Sequence, residues 1–417
     1  MRGSTRMRYG KNQKRPTVLC IILSMLFTSP VFLSGISYAQ TQTFVMGNYT
    51  YSGKPPTGDG SNTLSYPTGR TIYFSRTATL APADVVINWN AAHGKSSSSD
   101  SVYCNISDQG TSRPLSIESG LISAGSYGGV DIFKTNITGL YASVRLYAFS
   151  SYALKVTAPD VSVQNGIIHN VISIVDADGC QNEDEPDSQY FVMGGLGFYS
   201  AITFYTDQTY TPGNSKVELL KNGNYHVRIR NEDPGPGVIG YSYNLVYDLS
   251  ALTIAEPTCL SQPVASGSTV SGTTVDLGHY SPNDIINGAT SVPFAINLAN
   301  CRGLRNINVT LTSTTPATDP TLLGNILTMN NATGVGLEIS GAANNYYPQT
   351  LMIPNDATSI YQDQHDTTND NNIYGTGEDG KVQAQTLNFL ATLKRDSNHK
   401  IGSGNFKANG IFTFDYP

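Results

Sequence analysis

The sequence has little charge, little cysteine and almost no tryptophan. Charged residues make up 13% of its 417 residues, against about 25% in an ordinary soluble domain. It has five cysteines and one tryptophan, Trp89. No CxxC pair and no two histidines at ligand spacing occur, so we expect no metal site and no cofactor. The motifs G-x-S-x-G and H-E-x-x-H are also absent, and the histidines are scattered, which argues against an enzyme.

The first 39 residues are typical of a secretory signal peptide. A basic stretch precedes an apolar run from Val18 to Phe27, and Ser37 and Ala39 provide small residues before a cleavage site. A transmembrane anchor is the alternative, but Pro30 and Gly35 interrupt the apolar segment. No later stretch is apolar for long enough to span a bilayer, so we expect no membrane span after signal removal.

The charge balance becomes strongly acidic once the signal is removed. Residues 1–39 carry six of the 25 Lys and Arg residues and none of the 31 Asp and Glu residues, which leaves a net charge of −12. Nucleic-acid binding needs a basic surface, so we expect no nucleic-acid partner.

The apolar pattern predicts an all-β protein. No window longer than about twelve residues has the apolar period of a helix. Short runs with period two recur instead, separated by turn residues such as those of 233–237, and this is typical of β-sandwiches. The runs are Val144, Leu146 and Ala148; Tyr241, Tyr243, Leu245 and Tyr247; Phe294, Ile296 and Leu298; Ile307, Val309 and Leu311; and Leu387, Phe389, Ala391 and Leu393.

We expect two β-sandwich domains, one over 40–254 and one over 259–417, joined by a linker at 255–258. A tyrosine-rich strand ends before the linker, and a cysteine opens the second domain. The acidic run 361–380 is interpreted as a surface loop; its Asp and Asn residues suggest calcium, but the EF-hand spacing is absent.

Four cysteines remain after signal removal, and an even number in an exported chain predicts disulfides. Three pairings are possible. The proposed domain division favours Cys104–Cys180 and Cys259–Cys301.

The last fourteen residues predict a strand with one buried face. Small and aromatic side chains occupy every second position, with polar residues between most of them. An apolar strand at the end of a chain needs a partner on each side, and an uncovered edge favours aggregation. We therefore expect another chain to complete this fold. The inward-facing positions are Phe406, Ala408, Gly410, Phe412, Phe414 and Tyr416.

The C-terminal domain resembles the pilin domain of chaperone–usher fimbriae. The similar segments, in order, are Cys259, VDLG at 275–278, F-x-I-x-L-x-x-C at 294–301, GVGLEI at 334–339, and an ending with Gly404 fourteenth from the end and Tyr416 penultimate. A further domain ahead of the pilin domain resembles the layout of two-domain tip adhesins. Residues 129–140 also resemble a stretch of several fimbrial adhesin domains.

This resemblance implies an incomplete immunoglobulin-like sandwich that lacks its last strand. A periplasmic chaperone would lend a strand to the groove beside Phe406–Tyr416, and a neighbouring pilus subunit would later replace it. An outer-membrane usher would assemble the fibre, and the protein would lie at the fimbrial tip on the cell surface. The N-terminal domain would be a lectin-like adhesin domain for a host glycan or matrix protein. Two alternatives are a minor structural pilin or adaptor without a receptor and a secreted glycan-active enzyme.

The candidate ligand residues lie in one acidic segment and at the single tryptophan. Sugar sites combine an aromatic ring with carboxylates and amides that bind hydroxyl groups. Residues 176–190 supply such groups most densely. A solvated acidic loop is the alternative for that segment, and a core position is the alternative for the tryptophan. The candidates are Trp89, Asp176, Asp178, Asn182, Glu183, Asp184, Asp187 and Tyr190.

Overall fold

The computed structural model of the protein is almost entirely β-structure, as the sequence predicts. It describes residues 45–48, 50, 54, 56–66, 69–91, 101–104, 112–151, 155–175, 191–192, 196–231, 241–262, 269–365 and 382–417. The predicted signal peptide therefore lies outside the described residues. Within these ranges no helix is long and apolar enough to cross a membrane.

The part of the chain before residue 256 contains eighteen of the described strands. They are β1 (Val45–Gly47), β2 (Gly60–Ser65), β3 (Arg70–Tyr73), β4 (Ala81–Ala91), β5 (Ser101–Cys104), β6 (Ser112–Ser119), β7 (Ser123–Tyr127), β8 (Val130–Lys134), β9 (Leu140–Ser151), β10 (Lys155–Thr157), β11 (Val161–Ser162), β12 (Ile167–Val175), β13 (Phe191–Val192), β14 (Leu196–Thr206), β15 (Ser215–Lys216), β16 (Val227–Asn231), β17 (Ser242–Asp248) and β18 (Leu252–Ala255).

Two large sheets enclose the N-terminal core. One has the order β10-β12-β6-β16-β17-β2, and the other has the order β4-β14-β9-β8-β7, with β11 also paired to β9. Smaller sheets are formed by β1-β5-β13 and by β15-β18-β3. Apolar side chains from both large sheets are fully buried together, among them Ile117 and Leu245 from one sheet and Val144 and Phe204 from the other. This arrangement is a β-sandwich.

The rest of the chain contains ten described strands and one short helix. They are β19 (Thr258–Ser261), β20 (Val270–Ser271), β21 (Thr274–Val275), α1 (Pro282–Ile286), β22 (Val292–Arg302), β23 (Asn306–Thr312), β24 (Val335–Gly341), β25 (Thr350–Leu351), β26 (Tyr361–Gln364), β27 (Gln383–Arg395) and β28 (Ile411–Asp415).

The C-terminal strands form a five-stranded sheet, β19-β22-β27-β24-β25, a three-stranded sheet, β26-β23-β28, and the hairpin β20-β21. Their buried apolar side chains form a second core, separate from the first, which runs from Ile285 to Leu393. The predicted disulfide Cys259–Cys301 is present and links β19 to β22. The other predicted pair cannot be described, since Cys180 lies outside the described residues.

The two cores lie on either side of the predicted linker 255–258. By their contacts, however, residues 41–417 make up one compact unit. Tyr73 and Gly303 illustrate this, because a Cβ atom on Gly303 would lie 2.3 Å from the Cβ atom of Tyr73. The domain division at 255–258 therefore stays a prediction.

The predicted alternation is confirmed in most runs and is wrong at Ala148. Val144 and Leu146 are buried, but Ala148 has a φ of 53°. Two residues of β9 there lie opposite one residue of β14, between the pairs Gly197–Ser150 and Tyr199–Tyr147. Such a β-bulge shifts the side-chain phase, which a strict period of two does not anticipate.

The predicted surface loop 361–380 is wrong at its start. Residues 361–364 form β26, and Tyr361 is fully buried in the C-terminal core. Residues 366–380 lie outside the described part.

The short helix α1 was also not predicted, because its sequence signal is a capping box and not an apolar period. Ser281 and Asp284 exchange side-chain and backbone hydrogen bonds at its start.

Candidate functional site

The C-terminal strand lies at the edge of its sheet. β28 pairs with β23 in antiparallel register, with Phe412 opposite Leu311 and Phe414 opposite Val309. Among the described residues no strand pairs with its other side. The strand is shorter than predicted. It forms over Ile411–Asp415, while the preceding residues are held by loop contacts such as the hydrogen bond from the Ile326 amide to the Lys407 carbonyl.

Burial changes abruptly between these two paired strands. The inward side chains of β23 are at most 1% exposed; they are Ile307, Val309 and Leu311. Those of β28, Phe412 and Phe414, pack against the same core but are only half-buried. Because paired strands share one face, the difference shows that the core is uncovered on the side of β28.

The predicted groove residues all lie along this uncovered side. Phe406, Ala408, Phe412, Phe414 and Tyr416 are partly buried apolar side chains against the C-terminal core. Gly410, the remaining predicted residue, is exposed, and a Cβ atom there would lie 2.9 Å from a side-chain carbon of Leu311.

Phe412 anchors the strand through other rings. Its ring centroid lies 5.0 Å from that of Phe389 and 6.0 Å from that of Phe294. At these separations aromatic pairs attract beyond their area of contact. Farther along the strand, the burial of Tyr416 raises the pKa of its hydroxyl, and the neighbouring charge of Asp415 raises it further.

Gly404 permits the turn that leads into this segment. Its φ is +148°, a conformation that side chains rarely adopt, and a Cβ atom would lie 2.3 Å from the backbone carbon of Asn331. The position that marks the family resemblance therefore has a steric reason to be glycine.

Sequence analysis found only part of the apolar surface around this core: it quoted Val275 and Leu277, within VDLG at 275–278, but not Val270 or Tyr280. Val270 and Val275, on the hairpin β20-β21, and the following Leu277 and Tyr280 are also partly buried against this core. Their signal was weak, because the hairpin strands have two residues each. The edge strand β19 pairs only with β22 among the described strands and carries Leu260, which is 62% exposed.

The predicted ligand residues of the N-terminal part lie almost entirely outside the described residues. Trp89 lies in β4, where the backbone register places it opposite Ser200 of β14, and its side chain is outside the described part. The other seven candidates, Asp176 to Tyr190, lie outside the described residues. Within the described ranges no group of three His, Cys, Asp or Glu residues could hold a metal ion.

A different aromatic group occurs on the outer face of the sheet that contains β14. Tyr147 of β9 and Tyr199 of β14 lie opposite each other, with ring centroids 5.5 Å apart and planes 25° apart. The guanidinium of Arg145 lies 4.8 Å from the ring centre of Tyr147. Sequence analysis could not find this group, because it depends on the pairing of strands about fifty positions apart.

Comparison with known families finds a match in the C-terminal part of the chain. Residues 252–417 match the family model "Fimbrial protein". A search of curated proteins gave no match.

Solved structures of pilus proteins are similar to the chain at low identity. The rod subunit PapA of the P pilus is 18% identical over 38% of this chain and 99% of its own, with a TM-score of 0.25. The CupB6 tip adhesin from Pseudomonas aeruginosa is 13% identical over 90% of this chain and 95% of its own, with a TM-score of 0.35. CfaE, the adhesive subunit of CFA/I fimbria of enterotoxigenic Escherichia coli, is 10% identical over 86% and 97%, with a TM-score of 0.22.

Proposed function

We propose that this chain, whose residues 252–417 match the fimbrial protein family model, is the receptor-binding tip subunit of a chaperone–usher fimbria. In this proposal it is not an enzyme, it is exported through the periplasm, and it lies on the cell surface. The observation that carries the pilus part is the half-buried inward face of β28 beside the fully buried face of β23.

An added strand is the occupant that fits this edge. An unpaired strand edge presents backbone N–H and C=O groups, and only another backbone can pair with a row of them. Phe412 and Phe414 are spaced two residues apart, so an incoming strand with alternate apolar side chains would cover both. Ile411, on the opposite face and 61% exposed, would remain outside.

The donors of that strand would be a periplasmic chaperone and later the next pilus subunit, with an outer-membrane usher guiding the exchange. One domain cannot both lack a strand and remain soluble for long, because exposed apolar edges associate. A chaperone bound at β28 explains how such a chain reaches its fibre.

The N-terminal β-sandwich is the part that we assign to receptor binding. It has its own core, from Leu64 to Ile254, and it precedes the fimbrial domain. A host glycan or a matrix protein would be its ligand. A minor pilin without a receptor would have the same C-terminal edge, so ligand binding separates the two functions.

The test uses the exported full-length chain with and without a co-expressed fimbrial chaperone. We expect a soluble one-to-one complex with the chaperone and aggregation or proteolysis without it. The complex should also bind glycan arrays, matrix proteins or host cells. A stable full-length monomer without a chaperone would refute the strand-addition part, and a complex that binds no receptor would favour the structural pilin.

A further inference from the structure

The stacked pair Tyr147 and Tyr199 lies toward one end of the N-terminal sheet. Along the outer face of β14, Ala201 and Tyr205 are buried, whereas Tyr199 is 42% exposed. The hydroxyl of Tyr205 is within hydrogen-bonding distance of Ser143, and its ring lies 5.5 Å from that of Tyr127. Tyr205 is thus covered on this face, whereas the rings of Tyr199 and of Tyr127, which is 38% exposed, are open.

The pair lies toward one end of β14, and the start of the linker lies at the other. The far end of β14 is tied to the start of the linker: Thr206 donates to the Ser75 carbonyl, and the Phe74 amide donates to the Ala255 carbonyl. Tyr199 precedes Thr206 by seven residues, which is about 24 Å along an extended strand. A receptor site on a tip subunit would need such a distance from the linker.

A backbone irregularity sits directly beside the pair. Ala148 has a φ of 53° in the bulge that borders the pair Tyr147–Tyr199. Glycine or asparagine is usual in this conformation, and alanine adopts it at an energetic cost. Bulges of this kind re-aim side chains and occur beside functional sites. The bulge gives a second, independent reason to treat this end of the sheet as a site.

The charges beside the pair cancel. Arg145 lies over Tyr147, and its guanidinium is 3.6 Å from the carboxylate of Asp160. Both side chains are at least half exposed. An exposed guanidinium offers hydrogen-bond donors and the carboxylate offers acceptors, a combination that suits hydroxyl groups. A ligand with a carboxylate of its own would meet repulsion from Asp160 wherever it approached Arg145.

We infer that Tyr199, supported by Tyr147 and flanked by Arg145 and Asp160, binds an uncharged saccharide. The ring of Tyr199 would stack on the apolar C–H face of a pyranose, and the charged pair would bind its hydroxyl groups. The inference rests on the proposed receptor-binding function and specifies the ligand class and the site.

The outer face of the opposite sheet shows what a closed arrangement looks like. There Arg228 lies 4.1 Å from the ring centre of Tyr225 and donates to Asn244, and Asp59 accepts from the backbone amide of Ser242 and from the side chain of Asn244. The guanidinium covers the ring, and the polar groups bind one another. That cluster leaves no ring free to stack, whereas the ring of Tyr199 is partly exposed.

The experiment measures binding of the full-length chain, as its chaperone complex, to an array of neutral and sialylated glycans and to immobilised matrix proteins. We expect binding to glycans that end in a neutral hexose. Tyr199→Ala should weaken it at least tenfold, as expected for loss of a stacking ring, and Tyr199→Phe should retain most of it. Tyr346→Ala is the matched control, because Tyr346 is 45% exposed but belongs to the C-terminal part.

Three results would overturn the inference. One is wild-type binding to matrix proteins alone, which would leave the adhesive function intact. Another is a clear preference for sialylated glycans. The third is unchanged glycan binding by a folded Tyr199→Ala variant, which would place the saccharide site elsewhere. Failure of the complex to bind anything would count against the receptor function as well.

Discussion

Phe412 offers the most direct test of the uncovered core. Truncation of a fully buried phenylalanine to alanine costs about 3–5 kcal/mol. Phe412 is incompletely buried in the free chain, so we expect Phe412→Ala to cost about 3 kcal/mol there. If an added strand completes the burial, the same substitution should cost about 4 kcal/mol in the chaperone complex. The change in cost between the two states is the signature of strand addition.

The measurement compares thermal unfolding of the C-terminal part, followed by circular dichroism, in the complex and in full-length chain freshly released from the chaperone at low concentration, before its exposed edge associates. For a domain of this size, 1 kcal/mol shifts the midpoint by about 2–4 °C, so the extra loss of stability in the complex should lower its midpoint by about 3 °C more. Ile411→Ala is the control. Its side chain points outward and is 61% exposed, and the expected effect is within about 0.5 kcal/mol in both states.

The effect of the chaperone on the Phe412 variants decides whether strand addition covers this ring. Equal losses for Phe412→Ala with and without the chaperone would show that the partner does not cover this ring, and the strand-addition reasoning would fail. Phe412→Asp should go further, since an unpaired charge would face the core, and we expect its export yield to fall sharply while Ile411→Asp remains soluble.

Four other changes test separate parts of the structure. Burial lowers the pKa of His226 to about 4, so the unfolded chain takes up a proton before the folded chain does as the pH falls. The free energy of unfolding should therefore drop by about 3 kcal/mol between pH 7 and pH 4. Thermal melts should show a smaller drop in His226→Gln. Reduction of Cys259–Cys301, or its replacement by serines, should cost about 2–5 kcal/mol, measured by melting with and without reductant. Ala148→Val should destabilise by about 1–2 kcal/mol, because a β-branched residue fits the left-handed bulge poorly. Residues 40–254, expressed alone in the periplasm, should be soluble and monomeric by size-exclusion chromatography, and persistent aggregation would contradict the domain division.

The pH dependence of His226 follows from its contacts. Its ring is buried, Nδ1 accepts a hydrogen bond from the Tyr247 amide, and Nε2 lies 3.0 Å from the Leu219 carbonyl. The neutral ring with a proton on Nε2 satisfies both contacts. Protonation of Nδ1 would place two donors face to face, so acid should unfold this region rather than merely charge it.

Most of the core positions were predictable from the sequence, because period two translates directly into burial. Phe389 and Leu387 are fully buried as the alternation of β27 requires, and Ile307 and Val309 of β23 are too. The failure at Ala148 has a local cause: a bulge adds one residue to one strand, and no composition signal marks it when the residue is alanine rather than glycine.

The candidate sites were predictable to different degrees. The C-terminal edge was found because all of its residues belong to one segment, Phe406–Tyr416. The tyrosine pair was not, because its members come from strands β9 and β14, and only the register of those strands makes them neighbours. Sequence analysis instead favoured the densest group of carboxylates, at 176–190, because the carboxylate content of a segment can be read from the sequence and the pairing of distant strands cannot.

The two exposed surfaces differ in the kind of partner that they can accept. At β28 the unused groups belong to the backbone of an edge strand and to half-buried Phe412 and Phe414, so a partner must supply both a backbone and apolar side chains. At Tyr199 the backbone is already paired on both sides, with β4 and with β9. A partner there can use only a ring face and the charged groups beside it, which a strand cannot match and a sugar ring can. In the proposed function, the strand added at β28 and the saccharide at Tyr199 would use different groups of the chain, so they would not compete.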